Sequence, residues 1–203
     1  DGRRAGFMSA AVPAHDLSRR ATAYRDALRS LQLAMIRAQR VDAGGGDRPP
    51  TIADIGCGYG ALYEYMQGRG EFADWGYSGF DINAAMIRSC RQRFPAAQAG
   101  FKIGATPTSQ VDYALFSGTF NLCMIDDAAR WQRYILDQLA GCRPHCRRGM
   151  VLNLLCRRQM TIINNIFYAD RETILLEMRR RFGEIQVADT PGLKHDVTLF
   201  IPA

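Results

Sequence analysis

Two carboxylates and three glycines stand where a cofactor could be held. In TIADIGCGYG, Thr51 to Gly60, an acid at Asp54 precedes glycines on alternate positions, Gly56, Gly58 and Gly60, with Cys57 inside the run. A second acid, Asp81, closes the run GYSGFD, 21 residues beyond Gly60. Glycines at a strand-to-helix junction let the chain turn sharply and let a ligand lie against backbone amides without meeting a Cβ. A nucleotide-like ligand follows from that chemistry. A diphosphate would favour G-x-G-x-x-G with the helix N-terminus facing it. The spacing here is G-x-G-x-G, and Asp54 would repel a diphosphate but serve a cofactor that carries an ammonium group. Asp81, at the end of the next strand, can accept hydrogen bonds from both ribose hydroxyls.

Such residues need a frame. Apolar positions from Leu17 to Ile36 recur near helical spacing between arginines, so Asp16 to Arg40 is read as an amphipathic helix ended by the Gly/Pro connector Asp42 to Pro50. Strand and helix then alternate. Strands are expected at Thr51–Cys57, Tyr77–Ile82, Ala99–Ile103, Tyr113–Phe116 and Met150–Leu155, and helices at Ala61–Gln67, Asn83–Phe94 and Asp127–Leu139. Asp170 is a candidate N-cap for a helix to Phe182, with Gly183 as its stop. Glu184–Ala188 and Asp196–Ile201 follow with only a short turn between them, which demands an antiparallel hairpin at the sheet edge. The segment Gln159 to Asp170, QMTIINNIFYAD, is apolar enough for an inserted helix over the active site, or for a dimer contact. Residues 1–50 are thus a helical cap and connector, and 51–203 the cofactor-binding domain.

Composition adds bounds. With 203 residues, 47% of them hydrophobic, the chain can bury a core without metal or disulfide staples. The formal charge of +6 suits an acidic partner, although Arg supplies nearly all of it, since Lys occurs only at Lys102 and Lys194. The six cysteines form no CxxC pair and read as reduced, mostly buried thiols. Cys142, His145 and Cys146 cluster, but structural zinc wants a second ligand pair and the sequence has none, so no metal is expected. No run approaches the roughly 18 apolar residues of a membrane span, and no secretory h-region stands near the N-terminus, so the expected location is cytoplasmic. Residues 1–7, ahead of Met8, read as a trimmed natural start or an added remnant.

IADIGCGYG, GFDIN and the C-terminal hairpin together resemble the class I S-adenosylmethionine-dependent methyltransferases, over essentially Thr51 to Ala203. LFSGTFN, FYAD and HDVTLFI resemble, more narrowly, a group of small bacterial members. The resemblance implies a Rossmann-like three-layer α/β sandwich whose mainly parallel seven-stranded sheet ends with an antiparallel C-terminal edge strand. It implies S-adenosylmethionine as cofactor and S-adenosylhomocysteine as product. Gly56, Gly58, Gly60 and Asp54, with Cys57 between them, would hold the methionine part; Asp81 would take the ribose and Ile82 would pack on adenine. Many members carry an acid after the third strand for the adenine amino group, whereas this chain reads FKIGATP there, which leaves adenine to backbone groups or another side chain.

Ligands collect outside the carboxyl ends of the strands in such a sheet, so Ser117, Gly118 and Asn121, after the fourth strand, should face the methyl group. The turn joining the last two strands brings Lys194 and His195 to the same end. His195 is the candidate general base and Asn121 a candidate orienting group; a plain turn residue is the alternative in each case. His145 lies at the opposite end, and His15 begins the first helix. Tyr24, Arg29, Tyr168 and Arg157 are candidate substrate contacts, Arg157 and Arg158 suiting an acidic one; packing and solvated charge are their bland readings. The leading expectation is methylation of a small molecule, acidic or carrier-bound, on oxygen, nitrogen or carbon. An RNA or protein methyltransferase, or a non-catalytic cofactor-binding partner subunit, is the alternative; nucleic acid is disfavoured, and a homo-oligomer or partner protein stays open.

Overall fold

The computed structural model describes residues 14–42, 48–190 and 192–203, less the side chains of 14–21, 24 and 40–42. The first helix, α1 (Ala14–Asp42), is longer than its apolar periodicity required. Its Leu33 and Ile36 are buried against Ile52, Tyr113, Val151 and Phe200, so this helix closes one face of the sheet and shares its core. Residues 43–47 of the expected connector lie outside the described residues.

After the connector come β1 (Thr51–Ile55), α2 (Ala61–Gln67), β2 (Gly76–Asp81), α3 (Ala84–Arg93), β3 (Phe101–Ile103) and β4 (Val111–Phe116). Then follow α4 (Ala128–Cys142), β5 (Cys146–Arg157), β6 (Thr161–Ile163), β7 (Ile166–Asp170), α5 (Arg171–Phe182), β8 (Gln186–Asp189) and β9 (Asp196–Pro202). β3, β2, β1, β4 and β5 are parallel neighbours in that order. Every residue of β4 is buried, as a strand covered on both faces must be. Side chains of α4 and α5, among them Ile135, Leu139, Ile174 and Met178, fill the core on the other face from α1 and α2. The stretch 104–110 between β3 and β4 carries no helix.

Three helices start where an Asx side chain accepts an amide of the first turn: Asn83 from Ala85, Asp127 from Arg130 and Asp170 from Thr173. The C-terminal hairpin is present, with one change from the expected edge. β9 pairs antiparallel with both β5 and β8, so the antiparallel strand lies inside the sheet and β8 forms its edge.

The expected inserted helix at Gln159 to Asp170 is a β-hairpin instead. β6 and β7 pair antiparallel around Asn164 and Asn165, whose φ values of 50° and 61° are those of a primed turn. Asparagine enters the left-handed region more readily than other non-glycine residues, and the β-branched residues on either side prefer strand. β7 runs parallel to the last residues of β5, and Leu122 bridges to Ile166. The hairpin therefore roofs the segment that follows β4.

Candidate functional site

The glycine loop is shaped by its neighbours. Gly56 has φ 75°, and a Cβ there would stand 2.5 Å from the Thr119 methyl carbon, so neither the backbone nor the space admits a side chain. A Cβ on Gly58 would meet nothing within 4 Å: this residue faces open space. Both Gly56 and Cys57 donate their amides to the Phe80 carbonyl, tying the loop to β2. Asp81 completes the tie. One of its oxygens accepts the Gly58 amide at 2.9 Å, the other the Asn83 amide at 2.8 Å, and each keeps a lone pair for a ligand.

Two cavities flank this loop. The smaller, about 190 Å³, is lined by Arg25, Arg29, Asp54, Gly58 and Tyr59, among others. Asp54 is 3% exposed and accepts one hydrogen bond among the described residues, from the Tyr77 hydroxyl at 2.7 Å. Burial raises its pKa to about 6, against the lowering effect of the Tyr77 hydrogen bond and Arg29, while Asp81 pushes it further up. Burial likewise drives the Cys57 thiol far up, so it stays neutral and is no nucleophile. The larger cavity, about 470 Å³, is bounded by Asp81, Ile82, Gly104, Ala105 and the run Phe116 to Phe120. Its far wall is α4, through Trp131, Tyr134 and Gln138. Trp131 is fixed by donating its indole N–H to the Phe120 carbonyl at 3.1 Å and by stacking on Tyr134. Gly56 and Ser117 belong to both cavities, so a ligand that fills the two must pass between them.

The expected residues divide into two groups. Asp54, Gly56, Cys57, Gly58, Asp81, Ile82, Ser117 and Gly118 line one cavity or the other. Gly60, at φ 85°, opens α2 and packs under Phe94 rather than toward a cavity. Arg29, expected at the substrate, stands beside Asp54. The side chains of Tyr24 and His15 lie outside the described residues. Asn121 is not on either cavity wall: its carbonyl accepts the Phe167 amide, and its carboxamide oxygen is buried with no hydrogen-bond partner among the described residues.

His195 departs from its expected place. It lines a third cavity, together with Arg157 and Lys194, and that cavity shares no lining residue with the two beside the glycines. The β6–β7 hairpin, which pairs with the segment after β4, accounts for the separation. Tyr168, on that hairpin, packs edge-on against the His195 ring and under the Arg157 guanidinium.

Sequence reasoning missed a buried polar chain behind the site. The Gly118 amide donates to the Asn153 carboxamide oxygen at 2.7 Å, and the Asn153 amide donates to Asp196, also at 2.7 Å. Thr190 completes it by donating to the other Asp196 oxygen at 2.6 Å. This chain fixes Gly118 at φ 73°. A lone Asn in an apolar strand was its only signal. The α4 wall was also missed, though Trp131, Tyr134 and Gln138 recur at helical spacing.

A parallel sheet with a glycine cradle and a carboxylate at the end of its second strand defines a nucleotide-cofactor domain. No protein-family model matches the chain. It is 31% identical over 155 residues to the Mycobacterium tuberculosis (strain ATCC 25618 / H37Rv) protein named "Putative methyltransferase Rv1506c", an alignment covering 75% of this chain and 89% of that one. Among solved structures, magnesium protoporphyrin IX methyltransferase from Synechocystis PCC 6803 aligns over 97% of this chain and 90% of its own, with a TM-score of 0.59 and 13% identity. The CurJ carbon methyltransferase aligns over 87% of this chain and 54% of its own, with a TM-score of 0.60 and 12% identity. At such identities these two structures speak for the fold. The chain belongs to the class I S-adenosylmethionine-dependent methyltransferases.

Proposed function

We propose that the protein binds S-adenosylmethionine across the two cavities that meet at Gly56 and Ser117 and transfers its methyl group to a small molecule. The carrying observation is the chemical difference between the two ends. The smaller cavity offers a carboxylate, Asp54, and two guanidiniums, Arg25 and Arg29, which suit the ammonium and carboxylate of an amino-acid end. The larger offers the free lone pairs of Asp81 to ribose hydroxyls. It offers a flat base the apolar Ile82, 72% exposed in this structure, and the α4 aromatics.

The acid that many relatives place after β3 is absent, and Gln138 on the α4 wall supplies a carboxamide in its stead, able both to donate and to accept. The bound cofactor supplies an electrophilic methyl group on a sulfonium. The chain's part is to align an acceptor with it and to keep water out, which in-line transfer rewards strongly. Ser117 stands at the junction where the acceptor must arrive. Exposed Leu122 and Met124 at the cavity rim suit an acceptor with an apolar body. With His195 in a separate cavity, transfer rests on positioning, and His195→Gln leaves its rate within a small factor.

Calorimetric titration tests the cofactor reading. S-adenosylmethionine should bind with one-to-one stoichiometry while a nicotinamide dinucleotide does not. Asp81→Ala, which removes the acceptors for two hydroxyls, should weaken binding about ten- to a hundredfold. Unchanged affinity in that variant would refute the proposed pose.

A further inference from the structure

The third cavity, about 830 Å³, is an electropositive basin at the carboxyl end of β5. Four cations line it, Arg157, Arg158, Arg171 and Lys194, with His195 beside them; the carboxylates are Asp170 and Glu172. Several of these charges are already committed. Asp170 caps α5 by accepting the Thr173 amide, and Arg171 pairs with Asp189 at 2.7 Å. The side chains of Arg157, Arg158 and Lys194 make no ion pair or hydrogen bond with the described residues. A solvated surface charge is commonly free, but these three converge on one concavity from two segments. The segments are held together: the Cys156 amide donates to the His195 carbonyl at 2.7 Å, tying the end of β5 to the turn before β9. Arg157 is further set by stacking over the Tyr168 ring, 4.3 Å from its centroid, while His195 packs edge-on against the same ring at 6.2 Å. The donors are therefore partly ordered before any ligand arrives, which lowers the entropy that binding must overcome.

We propose that this basin is a phosphate-binding site, and that the phosphate is carried by an organic molecule. Two guanidiniums and an ammonium exceed what one carboxylate can satisfy, whereas a phosphate dianion offers three peripheral oxygens to them. The volume is far larger than a bare phosphate fills, which leaves room for an organic body beside Tyr168. The buried chain Gly118–Asn153–Asp196 runs from the cradle to the residue next to His195, so the basin and the cradle share one rigid partition. Along β5, Cys156 lies three residues beyond Asn153, a span of about 10 Å. A molecule anchored here by phosphate could reach the methyl site only if it were elongated.

The test titrates phenyl phosphate, inorganic phosphate and benzoate into the full chain by calorimetry, with S-adenosylhomocysteine measured on the same samples. Phenyl phosphate should bind saturably and several-fold more tightly than inorganic phosphate or benzoate. The exposed pair Arg158→Gln/Lys194→Gln should weaken it about tenfold or more, whereas Arg133→Gln/Arg180→Gln, which removes the same charge elsewhere, should leave it within about twofold. S-adenosylhomocysteine affinity should hold in both double variants. Equal weakening in the two pairs would reduce the effect to net charge and overturn the site. Benzoate binding as tightly as phenyl phosphate would overturn the phosphate assignment, and inorganic phosphate doing so would overturn the organic carrier. Phosphate binding without S-adenosylhomocysteine binding would leave this site standing and refute the cradle reading instead.

Discussion

Asp54 on β1 and Asp112 on β4 are each 3% exposed, yet the protein treats them in opposite ways. Asp112, at the amino end of the sheet, accepts the Thr51 amide at 2.8 Å and the Thr51 hydroxyl at 3.0 Å, and Arg48 reaches both of its oxygens at 2.9 and 3.0 Å. Arg147 stands 3.6 Å away. Burial pushes this carboxyl's pKa up, but the Thr51 hydrogen bonds and the two guanidiniums outweigh it, and the net shift is downward. Asp54, toward the carboxyl end, accepts one hydrogen bond among the described residues, from the Tyr77 hydroxyl; that bond and the nearby Arg29 do not offset its burial, and its pKa rises to about 6. One buried acid is fully answered by the chain that carries it. The other is left short of partners at the wall of a cavity, which is where an unmet electrostatic demand becomes a binding determinant. The amino end of the sheet is built for stability and the carboxyl end for a ligand.

The largest expected effect is at the satisfied acid. Asp112→Asn puts an amide group against donors and should destabilise the fold by about 2 to 4 kcal/mol in chemical denaturation at neutral pH. The acids should also separate in their pH dependence. Because Asp112 is lowered in the folded state, its contribution is present above the ordinary carboxylate pKa and is lost as pH falls through the folded value. Asp54 is raised, so the folded state holds its proton more tightly, and its contribution declines as pH rises from about 4 to 6, by up to about 3 kcal/mol. Subtracting the denaturation profiles of the single Asn variants from that of the parent should give slopes of opposite sign over these ranges. Slopes of the same sign would break the comparison.

Much of this arrangement is legible in the sequence because it is local. The acid, the glycines, the strand before them and the helix after them all fall between Thr51 and Gln67, and the caps Asn83, Asp127 and Asp170 are set by their own first turns. What is not legible depends on contacts between distant segments. Arg29 meets Asp54 only because α1 folds back on the sheet, and Asn153 reaches Gly118 and Asp196 across three strands. The β6–β7 hairpin is a different case, since its local signal was present. Asn164–Asn165 between β-branched runs marks a primed turn, yet the apolar content of the segment favours a helix when periodicity is not weighed against turn chemistry. His195, by contrast, is placed by its turn alone, at the carboxyl end of the sheet; the turn carries no signal that the hairpin packs Tyr168 against it while pairing Ile166 and Phe167 with the segment after β4.

The central claim, that Asp54 is kept under-partnered for a cofactor's charged end, is tested most directly by Asp54→Asn. Stability and S-adenosylhomocysteine affinity should be measured on the same preparation at pH 7.5, by denaturation and by calorimetry. Removing the poorly compensated buried charge should stabilise the protein by about 1 to 3 kcal/mol. Affinity should fall about tenfold or more, as the loss of one charged contact requires. A variant that is less stable than the parent, or one that binds S-adenosylhomocysteine as tightly as the parent does, would contradict the account.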